Sequence, residues 1–305
     1  MKAGTRLALY ALGLVVAFVA AFGIARAVIP DGAVEDWERR ASAHDHGAAE
    51  AGAHDGHAPA GLSLESDGLL LSPILAPTAP GVDGALTFQI RDDSGAPVAD
   101  YTPTHEKDLH LIVVRTDGAH FRHVHPTLDE ATGTWSVPWR WETAGTYRVY
   151  TDFTPAGDDA EGVTLSRLVD VGGPVELART EPTRTARVGG YTVTLAGDLV
   201  PGSSNTVTAS VTRDGRPVTA LQPYLGAFGH LVALREGDLA YLHVHPEGAA
   251  PKPGETSGPD IAFAATPSTP GRYLLYLDFQ VDGTVHAAAF AVDAAPPHDA
   301  HDHAH

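Results

Sequence analysis

Residues 109–126 read LHLIVVRTDGAHFRHVHP, and residues 229–246 read GHLVALREGDLAYLHVHP. The two stretches align without a gap and each carries the unit His-x12-His-x-His-Pro. In the first it is His110, His123, His125 and Pro126; in the second it is His230, His243, His245 and Pro246. Asp117-Gly118 is a favoured two-residue hairpin turn, and Gly237-Asp238 holds the matching place. Pairing around the first turn sets Ile112 opposite His123 and His110 opposite His125. Pairing around the second sets Val232 opposite His243 and His230 opposite His245. Paired residues share a face and side chains alternate with period two, so the three histidines of each unit point to one side. Cross-strand Cβ atoms lie roughly 4.5–5.5 Å apart, and three imidazoles at that spacing can converge on one ion with bonds of about 2 Å. Pro126 and Pro246 end the strands, which places the clusters at a sandwich rim.

The repetition extends outward from these units. GALTFQIRDDSGAPV (84–98) falls on NTVTASVTRDGRPV (205–218), and AGTYRVYTDF (144–153) falls on PGRYLLYLDF (270–279). Three collinear matches mark a duplication of residues 62–173 in residues 180–293, joined by ELARTEPTRTA. Each copy is a series of short runs rich in Val, Ile, Thr, Tyr and Phe, broken by Gly, Pro and Asp-Gly, with no helical periodicity of useful length. The expected fold is all-β: two tandem immunoglobulin-like β-sandwich domains after one N-terminal transmembrane helix. Gly145-Thr146-Tyr147 and Gly271-Arg272-Tyr273 each precede an alternating strand in the manner of a tyrosine corner.

The ends of the chain differ from its middle. Leu7–Ala25 is a 19-residue run without a charge, preceded by Lys2 and Arg6 and followed by Asp31, Glu35 and Asp36. Its length approaches the thickness of a bilayer core, and the flanking charges put the body of the chain outside the cytoplasm. Residues 1–30 therefore read as a membrane anchor, with a cleaved signal peptide as the alternative because Ala25-Arg26-Ala27 has the small-x-small form. Residues 31–61 read as a disordered His-rich tether and residues 294–305 as a disordered His-rich tail.

Composition narrows the chemistry. The formal net charge is −18, which argues against nucleic acid as a partner because that binding rests on Lys and Arg neutralising phosphates. With no Cys, and Met only at position 1, the chain has neither a thiolate nucleophile nor the soft sulfur ligands of a Cu(I) site. Of the 17 histidines, eight lie in the two tails and nine in the repeated body. Imidazole ligation suits Cu(II) or Zn(II). Asp152 and Asp278 hold matching places in the Tyr-x-x-Tyr-x-Asp-Phe strand and are candidates either for a fourth ligand or for acceptors that fix an imidazole tautomer. His286, aligned with Leu165, is a further candidate ligand in the second copy, whereas His105 and His120 lack counterparts and read as incidental.

The phrases HEKDLHLIVVRTD, FRHVHP, PYLGAFGHLVAL, AYLHVHP and LYLDFQVDGTVHAAAFAV resemble actinobacterial membrane-anchored or secreted tandem β-sandwich proteins with HVHP motifs. More distantly, the single domain is similar to immunoglobulin-like copper-handling domains of the CopC and YtkA type. That resemblance implies metal handling outside the cytoplasm. The chain departs from it in having no methionine cluster and no assignable N-terminal histidine ligand.

The expectation from sequence is a single-pass, extracytoplasmic protein that buffers, stores or delivers Cu(II) or Zn(II). The candidate ligands are His110, His123, His125, Asp152, His230, His243, His245, Asp278 and His286. The alternative is an immunoglobulin-like interaction module at the cell surface whose histidines form a hydrogen-bonded network. Three histidines with an open position also describe catalytic zinc, yet the chain shows no motif for a general base or a nucleophile, so the expectation is not an enzyme.

Overall fold

A computed structural model describes residues 61–157, 160–242, 244–252 and 254–295. Residues 1–30, expected to be an anchor, the expected tether up to residue 60, the expected tail from residue 296 and His243 lie outside the described residues. Among the described residues every regular element is a strand, and no helix is long and apolar enough to cross a membrane.

The first repeat runs through β1 (Glu65–Ser66), β2 (Leu69–Leu71), β3 (Gly84–Arg91), β4 (Tyr101–Thr102) and β5 (Leu109–Arg115). It continues through β6 (Arg122–Val124), β7 (Thr127–Asp129), β8 (Thr134–Trp139), β9 (Gly145–Pro155) and β10 (Val163–Val171). One sheet has the order β1-β2-β3-β8-β7 and the other β10-β9-β5-β6, with β4 paired to β9. This is the strand order of an immunoglobulin-type sandwich. Alternation along β3 buries Leu86, Phe88 and Ile90, which meet Leu111, Val113, Val149 and Leu165 of the facing sheet around Trp135, Trp139 and Trp141. Each large apolar side chain buried this way contributes about 1.5–3 kcal/mol before entropy is subtracted.

The second repeat repeats the topology. Its strands are β11 (Thr185–Val188), β12 (Tyr191–Ala196), β13 (Asn205–Arg213), β14 (Arg216–Pro217) and β15 (His230–Arg235). After them come β16 (Tyr241–Leu242), β17 (Val244–Pro246), β18 (Asp260–Ala265), β19 (Gly271–Val281) and β20 (Thr284–Ala294). The sheets are β11-β12-β13-β18-β17 and β16-β15-β19-β20. Both tyrosine corners form: Tyr147 Oη donates to the Thr143 carbonyl and Tyr273 Oη to the Thr269 carbonyl, each at 3.0 Å.

Strand β5 is buried at every position, which one sandwich core cannot explain because alternate side chains face away from it. The outward set meets the second repeat. Ile112, Val114 and Tyr150 pack against Val232, Leu234, Leu239, Leu274 and Tyr276 in a separate apolar cluster, a seam between the two sandwiches. The contacts are reciprocal. Phe121 stacks on Tyr276 at 4.0 Å between ring centroids, and Tyr241 meets Tyr150 at 5.7 Å. Tyr276 Oη donates to the Gly118 carbonyl at 2.6 Å, and Tyr150 Oη donates to the Leu239 carbonyl. Gly118, at φ +83°, closes the β5–β6 turn so near the second repeat that a Cβ there would lie 2.5 Å from Leu274 Cδ1. Both the left-handed backbone and the close approach require glycine.

Candidate metal centre

The predicted register holds where it matters. Ile112 pairs with His123 and Leu111 with Val124, so the β5–β6 pair brings the three histidines to one side. The turn differs in detail. Arg115 N–H donates to the Ala119 carbonyl and Gly118 N–H to the Arg115 carbonyl, and His120 takes φ 56°, a bulge that restores the register after a tighter turn. In the second repeat Ala233 pairs with Leu242 and Leu234 with Tyr241, the same register from a different loop. The chain then crosses to the other sheet, where His245 pairs with Ala264 of β18 and not with His230 as expected.

His110, His123 and His125 each offer one ring nitrogen, all within 4.8 Å of one another. His110 Nδ1 lies 3.0 Å from His123 Nε2 and 3.1 Å from His125 Nε2. Two flanking bonds fix which nitrogens carry protons. The His110 Nε2–H donates to the Thr104 carbonyl at 3.0 Å, which leaves Nδ1 with its lone pair. Neutral His123 donates its Nδ1–H to Asp278 Oδ2 at 2.9 Å, which leaves Nε2 with its lone pair. The two lone pairs then face each other at 3.0 Å. Between two neutral rings such a contact is repulsive until a proton or a metal ion stands between them. Nitrogens bound tetrahedrally at about 2.0–2.1 Å lie about 3.3 Å apart, so the two separations from His110 Nδ1 need only a few tenths of an ångström of relaxation, with the His123–His125 pair held within 4.8 Å. The donor set and its spacing fit a first-row divalent ion.

The surroundings favour the neutral form of His110, His125 and His230. Burial, then the neighbouring His123 imidazole, pushes His110 down to about 3. His125 is pushed to about 3 by burial and by His123 and His110. Burial lowers His230 to about 4, against the Tyr224 carbonyl that its Nε2–H meets. Neutral imidazole is the form that ligates.

The centre is not confined to the first repeat, nor does it lie at an open rim. A cavity of about 170 Å³ is lined by His105, His110, His123 and Asp152 from the first copy and by His230 and His245 from the second. The His123 and Asp278 side chains are only 4% and 7% exposed. His230 donates its Nε2–H to the Tyr224 carbonyl at 2.8 Å, as His110 does to Thr104, so its Nδ1 keeps a lone pair too. Its ring lies 5.1 Å from that of His105 and 6.4 Å from that of His123.

Several sequence expectations change. Asp152 pairs with His110 along the strands and accepts from Thr164 Oγ1 at 2.8 Å, whereas the carboxylate on His123 is Asp278 of the other copy. The exchange follows from the seam, which sets β19 against β6. His286 is not brought to the cluster. It pairs with Phe279, whereas Asp278 pairs with Ala287, so alternation sends His286 to the opposite face, 4.9 Å from the Tyr191 ring. Its structural counterpart is Val163, paired with Phe153, and not Leu165. His105, read as incidental, lines the cavity from a turn where it holds φ 51°; no spacing in the sequence marks it. His120 is bonded to Glu142 at 3.0 Å, and exposed His245 lines the cavity wall outside the three-histidine cluster.

Comparisons with known proteins bear on family and fold. The sequence model of a family described as Domain of unknown function (DUF8832) matches residues 67–165 and 186–296, more than half of the chain, and the chain belongs to that family. No curated protein matches. Among solved structures, the bacterial integrin-binding protein invasin is similar at 13% identity over 75% of this chain and 39% of its own, with a TM-score of 0.22. The D0-D1 domain of intimin gives 13%, 72% and 92%, with a TM-score of 0.21. Fibronectin(III)-like modules of CbhA from Clostridium thermocellum give 12%, 77% and 100%, with a TM-score of 0.19. The chain thus spans well under half the length of the invasin it matches, and at these scores the likeness assigns no role.

Proposed function

We propose that this DUF8832 protein is a membrane-anchored, extracytoplasmic binding protein of two immunoglobulin-like domains, residues 62–173 and 180–293, and not an enzyme. It holds a divalent ion, Cu(II) or Zn(II), on His110, His123 and His125, for buffering, storage or delivery. The observation that carries this reading is the 3.0 Å contact of His110 Nδ1 with His123 Nε2, two nitrogens that neutral tautomers leave as lone pairs. The cavity of about 170 Å³ supports a binding role: it has room for an ion and a few waters, below the about 300–1,000 Å³ of organic-ligand sites. The Leu7–Ala25 run would tether the body outside the cytoplasm.

The same contact supports a second reading, an interaction module at the cell surface with structural histidines. An imidazolium at His123, paired with Asp278, would donate its Nε2–H to His110 and close the network without an ion.

Thermal unfolding of the full chain with Zn(II), Cu(II) or chelator separates the two, with a His123→Ala/His125→Ala variant as control. The His-rich tails are the same in both proteins, so a difference reports the cluster. A site at about 100 times Kd gains about 2.7 kcal/mol, on the order of 5–10 °C for repeats of this size. A metal-dependent rise in the wild type that the variant lacks is the expected result. Equal behaviour of the two proteins would remove the metal reading and leave the interaction module.

A further inference from the structure

The cluster assigned above belongs to one repeat, but the group that determines its chemistry belongs to the other. Asp278 lies on β19, and its carboxylate accepts the His123 Nδ1–H across the seam at 2.9 Å. Without that bond His123 is free to take the other tautomer, in which Nε2 carries the proton and cannot ligate. Asp278 also sits in a fixed place. It pairs with His230 along the β15–β19 ladder, beside the ring that lines the same cavity. Close by, the seam is held by the Phe121–Tyr276 stack and the bond from Tyr276 to Gly118.

We propose that the ion centre is a joint product of the two repeats: Asp278 of the second is the positioning residue for His123 of the first, and a divalent ion bound there clamps the seam. The proposal rests on the metal reading and says where its affinity comes from. A carboxylate on the far nitrogen of a ligating imidazole fixes the tautomer and raises the basicity of the ligating nitrogen. Because that carboxylate is carried by the opposite repeat, an ion that prefers the ordered His123 also prefers the docked repeats. By linkage, separating the repeats must then release the ion.

The test uses the full chain, Zn(II) and Co(II), and the variants Asp278→Asn and Asp278→Glu. Asp278→Asn should weaken Zn(II) binding at the cluster by about 10- to 100-fold, the usual effect of losing such a partner. It should also shift the Co(II) electronic spectrum, and Asp278→Glu should recover part of both; a residue that only supports packing would leave the spectrum unchanged. Hydrogen exchange of the wild type, which needs no variant, reads the clamp. Zn(II) should slow exchange in β5 and also in β15 and β19, on the order of tenfold or more at about 100 times Kd. If Zn(II) binds, slows only β5 and β6, and Asp278→Asn binds equally well, the joint centre is overturned while the metal reading stands. If Zn(II) leaves β5 and β6 of the wild type unchanged, the metal reading falls and takes the joint centre with it.

Discussion

The first repeat fills its interior with Trp135, Trp139 and Trp141, and the second fills the same space with Tyr191, Phe263 and Phe290. Their outward faces, by contrast, correspond at several seam positions, although Leu274 matches Arg148 and Leu239 matches Ala119. Ile112 matches Val232, Val114 matches Leu234, Phe121 matches Tyr241, Tyr150 matches Tyr276 and His110 matches His230. A core can be refilled with other shapes so long as its volume is kept. A face that packs on its own copy has less latitude, because each change must suit the other side as well. The seam and the histidines are therefore best regarded as one unit, and the repeats as two halves of it.

The largest effect should come from cutting that unit. Tyr276→Ala removes the stack on Phe121 and the bond to the Gly118 carbonyl, and loss of a buried aromatic side chain costs about 3–5 kcal/mol. Calorimetry should show one transition in the wild type and two in the variant, as each sandwich melts on its own. A single transition in the variant would mean that the sandwiches do not depend on the seam. Next in size is the contrast between the two His-Val-His units. His125 lies within the cluster, whereas exposed His245 lines the cavity wall outside it. In a competition titration, His125→Ala should weaken Zn(II) binding at least tenfold, about 1.4 kcal/mol, and His245→Ala should weaken it less. Equal losses would make the two units equivalent.

Acid should act more on the first repeat than on the second. An unfolded histidine takes its proton near about 6.5, while folded His110 and His125 resist protonation to about 3 and His230 to about 4. Between those limits the unfolded chain binds more protons, so the stability of the metal-free protein falls as pH drops below about 6.5 and is fully present above about pH 7. His110→Gln should flatten the dependence of the thermal midpoint on pH between 7 and 5, and His230→Gln should flatten it less. A midpoint independent of pH in the wild type would show that these rings titrate in the fold as they do in the unfolded chain.

What the sequence made legible was local. Period-two alternation and one turn were enough to set Ile112 against His123, and the internal repeat supplied the same sandwich twice. The corners of Tyr147 and Tyr273 followed from three residues each. What it left dark depends on how one repeat meets the other. The run LHLIVV does not by itself say that both faces of β5 are covered, nor by what. Asp278 could be recognised as a candidate but not assigned to His123, because the bond spans 155 residues and exists only across the seam. His286 was misplaced because the loops before β10 and β20 differ in length, and a two-residue slip moved it from the place of Val163 to that of Leu165. His105 depends on a left-handed turn that no spacing rule announces.

The smallest effect tests the symmetry of the seam most directly. Tyr276→Phe and Tyr150→Phe each delete one hydroxyl and keep the ring. The first frees the Gly118 carbonyl and the second the Leu239 carbonyl, and both bonds run from one repeat to the turn of the other. Each loss should cost about 0.5–1.5 kcal/mol in denaturant unfolding. The two acceptors lie in turns of different construction: the first closes with Gly118 at φ +83°, the second with Leu239 at φ 60°. If the seam is shared evenly, the two variants lose the same stability despite that difference, and the turns have been adjusted to serve the contact. If only Tyr276→Phe is costly, the glycine turn of the first repeat carries the docking. The second repeat would then be held chiefly by its apolar face, Val232, Leu234 and Leu274.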